Sequence, residues 1–180
     1  MPSILGQAEI WLDAENIDGK GNESFSNGDS IGTWNDLSGN GNNASQSNTN
    51  DKPSLSVSTD TSKSSMTFEG IAGYMTIQDN PSVRLGAEDF GFFMVLKKNT
   101  TSSTSLLVKG RAGGSGSKYK RYHIAVNSGD IFSNEIDDDS VYKAIESTSN
   151  FNENYKIVFT ERNGSFLKNY INGPLADNLN

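Results

Sequence analysis

Ile10-Trp11-Leu12-Asp13-Ala14 and, further on, Trp34-Asn35-Asp36-Leu37-Ser38-Gly39-Asn40-Gly41-Asn42-Asn43-Ala44 decide how this chain is read. Each tryptophan sits in a short apolar stretch, and the second stretch runs into a Gly/Asn-rich turn. Gly39 and Gly41 permit positive φ, and Asn tolerates the left-handed region better than other non-Gly residues. The pattern is strand, tight turn, strand.

Outward from there, period-two alternation recurs. Residues 8–12 and 30–34 read as the first strands. Residues 54–58 and 65–69 alternate polar and apolar positions, and 74–77 return after a turn at 70–73. Residues 90–98 are the most apolar run, with the length and β-forming content of a central strand. Residues 106–109, 121–126 and 141–145 follow. Residues 155–162 and 165–171 flank Asn163-Gly164, and Asn-Gly between alternating runs is the strongest short hairpin signal. Another turn starts at Asn172-Gly173. Residues 80–88 have room for one short helical turn, while 18–29, 48–63 and 110–120 read as loops. About a dozen short strands without a convincing helix predict an all-β fold, a two-sheet antiparallel β-sandwich.

The "WLDA" stretch at 11–14, taken with the "W-N-D-x-S-G-N-G-N-x-A" turn at 34–44, resembles the opening of laminin G-like domains, which have the concanavalin A-like jelly-roll fold. Phe68-Glu69-Gly70-Ile71-Ala72-Gly73-Tyr74-Met75-Thr76-Ile77 is similar to a family hairpin, with Ile71-Ala72 replacing its acidic pair. "E-R-N-G-S-x-L-K-x-Y-I-N-G" at 161–173 is similar to the family's penultimate hairpin. The resemblance covers most of the chain and implies one jelly-roll domain over residues 1–180. In the family, one or two more strands follow. Here a polar tail ends at Asn180, so either the last strand is lacking or the sheet edge is completed differently. An uncovered edge is an association site.

The chain has 180 residues, a length expected for one domain. At that size folding needs no disulfide, and the absence of Cys removes thiolate metal sites. A net charge of −7 and a pI near 4.7 argue against nucleic acid as partner. No long apolar run predicts membrane insertion. Residues 1–7 lack the basic start and apolar core of a signal peptide.

Acidic residues come first among candidate sites. Asp13, Asp18, Asp29 and Asp36 fall on or beside loops expected at one rim. The resemblance implies calcium there, because relatives bind it at a jelly-roll rim and calcium takes six to eight oxygen ligands. Asp13, Asp18 and Asp36 are the expected ligands. Asp18-Gly19-Lys20-Gly21-Asn22-Glu23 looks like a calcium loop but carries Lys20 where an acid is usual, and a solvated turn is the competing reading.

Catalysis finds less support. Glu135-Ile136-Asp137-Asp138-Asp139 is similar to the "E-I-D-x-E" strand of jelly-roll glycoside hydrolases. Those need two carboxylates about 5–5.5 Å apart in retaining enzymes. Residues i and i+4 of a strand stand about 13 Å apart, so an exposed acidic loop is the expectation and no enzyme is predicted. His123, the chain's one histidine, reads as packed or hydrogen-bonded. No nucleophile elbow accompanies it. The glycine-rich stretch at 110–117 lacks the ending of a phosphate loop.

Aromatic rings pack on the C–H faces of sugars. Trp11 and Trp34 are expected in the core, whereas Tyr74, Tyr119 and Tyr122 lie near turns. Arg111, Lys118, Lys120 and Arg121 make a local basic patch suited to an acidic glycan or to plain solvation. Tyr74, Arg111, Tyr119, Arg121 and Tyr122 are therefore the candidate ligand-binding residues. The expected function is a noncatalytic module recognising carbohydrate or a cell-surface ligand, within a virion or an extracellular or surface assembly. Ser/Asn-rich laminin G-like proteins without a signal peptide are familiar in tailed bacteriophages. A purely structural or adhesive virion component is the alternative, and a glycoside hydrolase the remote one.

Overall fold

Short runs of alternating residues, punctuated by Gly and Asn, leave this chain little but strands to form. The computed structural model describes residues 8–58, 63–69, 72–84, 89–110, 121–137, 142–149, 151 and 154–179. It is 44% strand and 4% helical, its sheets are all antiparallel, and none closes into a barrel. The predicted all-β sandwich class is what the structure shows. The chain divides into two compact units, Met1–Arg84 and Leu85–Asn180.

In the first unit, β1 (Thr33–Trp34), β2 (Ala44–Ser45) and β5 (Thr76–Ile77) form a sheet in the order β1-β2-β5. β3 (Ser54–Val57) and β4 (Ser64–Thr67) pair as a hairpin. Ile17, Ile31 and Leu55 are buried, with Phe25, Trp34, Met66 and Met75 packed against them. Each buried aliphatic side chain contributes about 1.5–3 kcal/mol. Two 3₁₀ turns, Thr49–Asp51 and Pro81–Val83, are capped by Asn48 and Asn80, whose side chains accept the N–H groups of Asn50 and Ser82.

Residues 8–12, expected as the first strand, join no ladder among the described residues. Trp11 is held by two long-range bonds instead: its N–H donates to Asp36 Oδ1 at 2.9 Å, and its carbonyl accepts the Leu37 N–H at 2.8 Å. Gly39 and Gly41 do adopt positive φ, 92° and 75°.

The second unit is a sandwich of two four-stranded sheets. One runs β13-β12-β11-β6, from β6 (Phe90–Leu96), β11 (Lys156–Asn163), β12 (Phe166–Ile171) and β13 (Leu175–Leu179). The other runs β10-β9-β8-β7, from β7 (Thr104–Lys109), β8 (Arg121–Asn127), β9 (Ile131–Asp137) and β10 (Tyr142–Thr148). Ile124, Val126 and Phe132 meet Val158 and Phe151 in the core, with Phe92, Met94 and Leu96 packed against them. Two amides cross the interior. Asn134 Nδ2 on β9 donates to Thr160 Oγ1 on β11, and Asn169 Nδ2 on β12 donates to Ser147 Oγ on β10 at 3.2 Å.

Three expectations change here. Among the described residues, the strand formed from the run at 90–98, β6, ends its sheet rather than lying at the centre. It is apolar on both faces because Phe92, Met94 and Leu96 point inward while Phe93 and Val95 are 66% and 60% exposed. Residues 135–137, read as part of an acidic loop, close a strand inside the β8–β9–β10 ladder. The polar tail forms β13 and pairs with β12, with a bulge at Asn169/Tyr170.

Candidate ligand-binding cleft

The β1-β2-β5 sheet carries a row of hydroxyls. Thr33 stands opposite Ser45, and Ser45 opposite Thr76, so all three side chains share one face. All three are exposed, while Ala44 beside them is buried on the other face. This row forms one side of an open cleft of about 550 Å³, completed by Gly32, Gln46, Ser47, Lys52 and Tyr74.

Gln46 sets the shape. Its side chain is buried, with Nε2 donating to the Tyr74 carbonyl at 3.1 Å and Oε1 accepting the Asn48 N–H at 2.9 Å. Tyr74 N–H in turn donates to the Asp51 carbonyl at 3.2 Å. The Tyr74 backbone is thus pinned from two sides, while the residue stays 54% exposed. Gly73 makes the approach possible: a Cβ there would sit 2.7 Å from the Glu69 backbone nitrogen. Gly32 leaves room for Lys52, whose Cε and Nζ would lie 3.3 Å from a Cβ at that position.

The lining offers an aromatic ring, hydroxyls, an amide and an ammonium. These groups can pack on and hydrogen-bond to a polar ligand. Of the residues singled out in the sequence, Tyr74 is here. Thr33, Ser45, Thr76, Gln46 and Lys52 were missed, because the register that aligns them is invisible in a list of common loop and strand residues.

The other expected ligand residues fall elsewhere. Tyr122 in β8 is buried, its ring 5.2 Å from that of Phe92, so it offers no face to a ligand. Arg121 opens β8. Arg111 and Tyr119 lie outside the described residues.

The rim aspartates accept backbone N–H groups. Asp36 accepts the N–H groups of Trp11, Ser38 and Asn42, plus the Ser38 hydroxyl. Burial pushes its carboxyl up, but these donors outweigh burial and hold it below the usual range. Asp18 Oδ1 accepts the N–H groups of Lys20 at 2.8 Å and Asn22 at 3.2 Å, with Asn22 at φ 62°. The Lys20 bond leads in lowering the Asp18 pKa. Asp13 Oδ1 accepts the Glu15 N–H at 2.9 Å. Among the described residues, no group of three or more His, Cys, Asp or Glu is placed to hold a metal ion. In this structure each of the three aspartates serves as an acceptor that helps close its own turn. No helix among the described residues is long and apolar enough to cross a membrane.

Comparison of the chain with protein families, with characterised proteins and with solved structures finds no match. The functional reading rests on the geometry above and on the resemblance carried by residues 11–14, 34–44, 68–77 and 161–173.

Proposed function

We propose that this chain is a recognition module that binds carbohydrate in the Tyr74 cleft, as part of a virion or surface assembly. The observation that carries the reading is the pairing of an exposed, backbone-pinned tyrosine with the Thr33–Ser45–Thr76 hydroxyl row. Sugars present apolar C–H faces and hydroxyl edges together, and a preformed site for them needs a ring beside fixed donors and acceptors. Lys52 favours a ligand bearing a carboxylate or sulfate. The resemblance to laminin G-like, concanavalin A-like domains points the same way.

A glycan array probed with the full chain tests this. Hits that Tyr74→Ala and Thr33→Val each weaken tenfold or more support the cleft. Hits that neither change keep the lectin reading and remove the cleft. A blank array with folded protein turns the reading to assembly.

One observation favours that second reading, a structural component joined to other subunits. Phe93, Val95 and Ile157 are exposed on one face of the second unit, where Ile157 pairs with Val95 and Phe159 with Phe93. The Phe159 and Tyr170 rings lie 5.7 Å apart beside them. Contiguous exposed apolar side chains of this kind mark interaction surfaces. Sedimentation of the full chain should then show association that Phe93→Ser weakens.

A further inference from the structure

The second unit holds a constellation that plays no part in the cleft. Ser105 on β7 is exposed, and its Oγ lies 2.9 Å from His123 Nε2 on β8. His123 stands directly opposite Glu135 on β9, with its Nδ1 3.7 Å from Glu135 Oε2. The His and Glu side chains are about three-quarters covered, at 26% and 24% exposure. Three adjacent strands thus bring together a hydroxyl, an imidazole hydrogen-bonded to it at Nε2, and a carboxylate close to Nδ1. A carboxylate beside Nδ1 favours the tautomer that carries its proton there. Nε2 is then left as the acceptor of the serine proton.

The β7–β8 ladder is broken at this point. Ser105 pairs with Ala125 and Leu107 with Ile124, so Leu106 is an extra residue without a partner in the register. Bulges re-aim side chains and gather beside active sites. Here the extra residue is the one immediately after the serine, the position whose backbone N–H serves as an oxyanion donor in serine hydrolases built on a nucleophile elbow.

We propose that Ser105, His123 and Glu135 form an esterolytic site for small acyl esters. Ser105 Oγ attacks the acyl carbon as its proton passes to His123 Nε2, and the backbone N–H of Leu106, the residue after the nucleophile, is the donor assigned to the developing oxyanion. Collapse breaks the carbon–oxygen bond to the alcohol, which leaves with the proton from Nε2. Water then attacks the acyl-serine, again giving its proton to Nε2. That proton returns to Ser105 Oγ as the carboxylic acid departs. One ester and one water become one acid and one alcohol. Glu135 is a positioning residue that orients the imidazole and stabilises its charged form. The open setting suits a short acyl group and an alkoxide leaving group, not a peptide. The inference is independent of the carbohydrate reading.

The test uses the full chain with p-nitrophenyl acetate and a fluorophosphonate probe. Turnover with a pre-steady-state burst is expected, with a phosphonyl adduct that peptide mass mapping places on Ser105. Ser105→Ala should remove adduct and burst and lower turnover about 100-fold. His123→Gln should do the same with Ser105 intact. Glu135→Gln should lower kcat while KM holds. Circular dichroism checks that each variant is folded. A folded wild-type chain that neither turns over nor labels overturns the proposal. So does turnover that survives Ser105→Ala, which would be the work of the imidazole or of another nucleophile.

Discussion

The Asp36 carboxylate accepts the backbone N–H of Trp11 at 2.9 Å, across 25 positions of chain. The same side chain accepts from Ser38 and Asn42 around the Gly39/Gly41 turn. One acidic residue therefore closes a turn and fastens the segment before it, a task that a ladder of peptide bonds performs elsewhere in the chain.

Asp36→Ala should lower the stability of the first unit by about 3 kcal/mol, because hydrogen bonds to a charged acceptor contribute about 1.5–3 kcal/mol each and do not add fully. Both tryptophans, Trp11 and Trp34, belong to this unit. Tryptophan fluorescence in a urea titration reads it selectively. An unchanged midpoint would show that the turn holds without the carboxylate.

Acid should weaken the same unit. Ser64 N–H donation leads in lowering the Glu15 pKa, Lys20 N–H donation leads for Asp18, and for Asp36 the Trp11, Ser38 and Asn42 donors overcome burial. All three are lower in the folded state than in the unfolded chain. Their contribution is then complete above the unfolded carboxyl range near pH 4 and is lost as pH falls through the folded values. Fluorescence-monitored stability should be level between about pH 5 and 7 and decline from about pH 4 downward. Asp36→Asn should flatten that decline, and an identical slope in the variant would remove Asp36 as a contributor.

Calcium tests the rim. Asp13, Asp18 and Asp36 each already accept at least one backbone N–H, so a cation there would share carboxylates that hold turns in place. Millimolar calcium is expected to leave the melting temperature of the first unit unchanged. A rise that chelator reverses, and that Asp18→Asn abolishes, would place a metal there after all.

In the second unit, Asn134 and Thr160 are both fully buried and bonded to each other across the sheets, with Asn134 Oδ1 unpartnered. Thr160→Val should cost about 1–3 kcal/mol by stranding the amide. The double variant Asn134→Leu/Thr160→Val should recover most of that loss, because it removes both polar groups. Urea unfolding followed by circular dichroism compares them. A double variant as weak as the sum of the singles would mean that the cost lies in packing volume.

The Asn163-Gly164 hairpin was legible because its determinant is local: two residues fix the turn, and the alternating runs fix the faces. β9 was not, because its inward positions include Asn134, whose partner lies 26 residues away in β11. Nor was β13, where Asp177 and Asn178 are strand residues only through pairing with Asn169 and Lys168. Residues 8–12 misled in the opposite sense, alternating like a strand but held by side chains of the 36–42 turn and one backbone bond from Leu37. Tyr74 could be named from its turn. The hydroxyls beside it depend on the cross-strand register of three two-residue strands, and the meeting of Ser105, His123 and Glu135 depends on the register of β7, β8 and β9.

Thr33, Ser45 and Thr76 stand on neighbouring strands, so their separation is the strand spacing itself, about 4.8 Å per step. Backbone hydrogen bonding sets that interval, and a side-chain rotamer can alter it only a little. If the cleft holds carbohydrate as proposed, a surface graduated in this way would measure the pitch of the chain laid along it. It would distinguish polymers by how their units are linked more sharply than by which units they contain, and a free monosaccharide would engage only one mark of the scale.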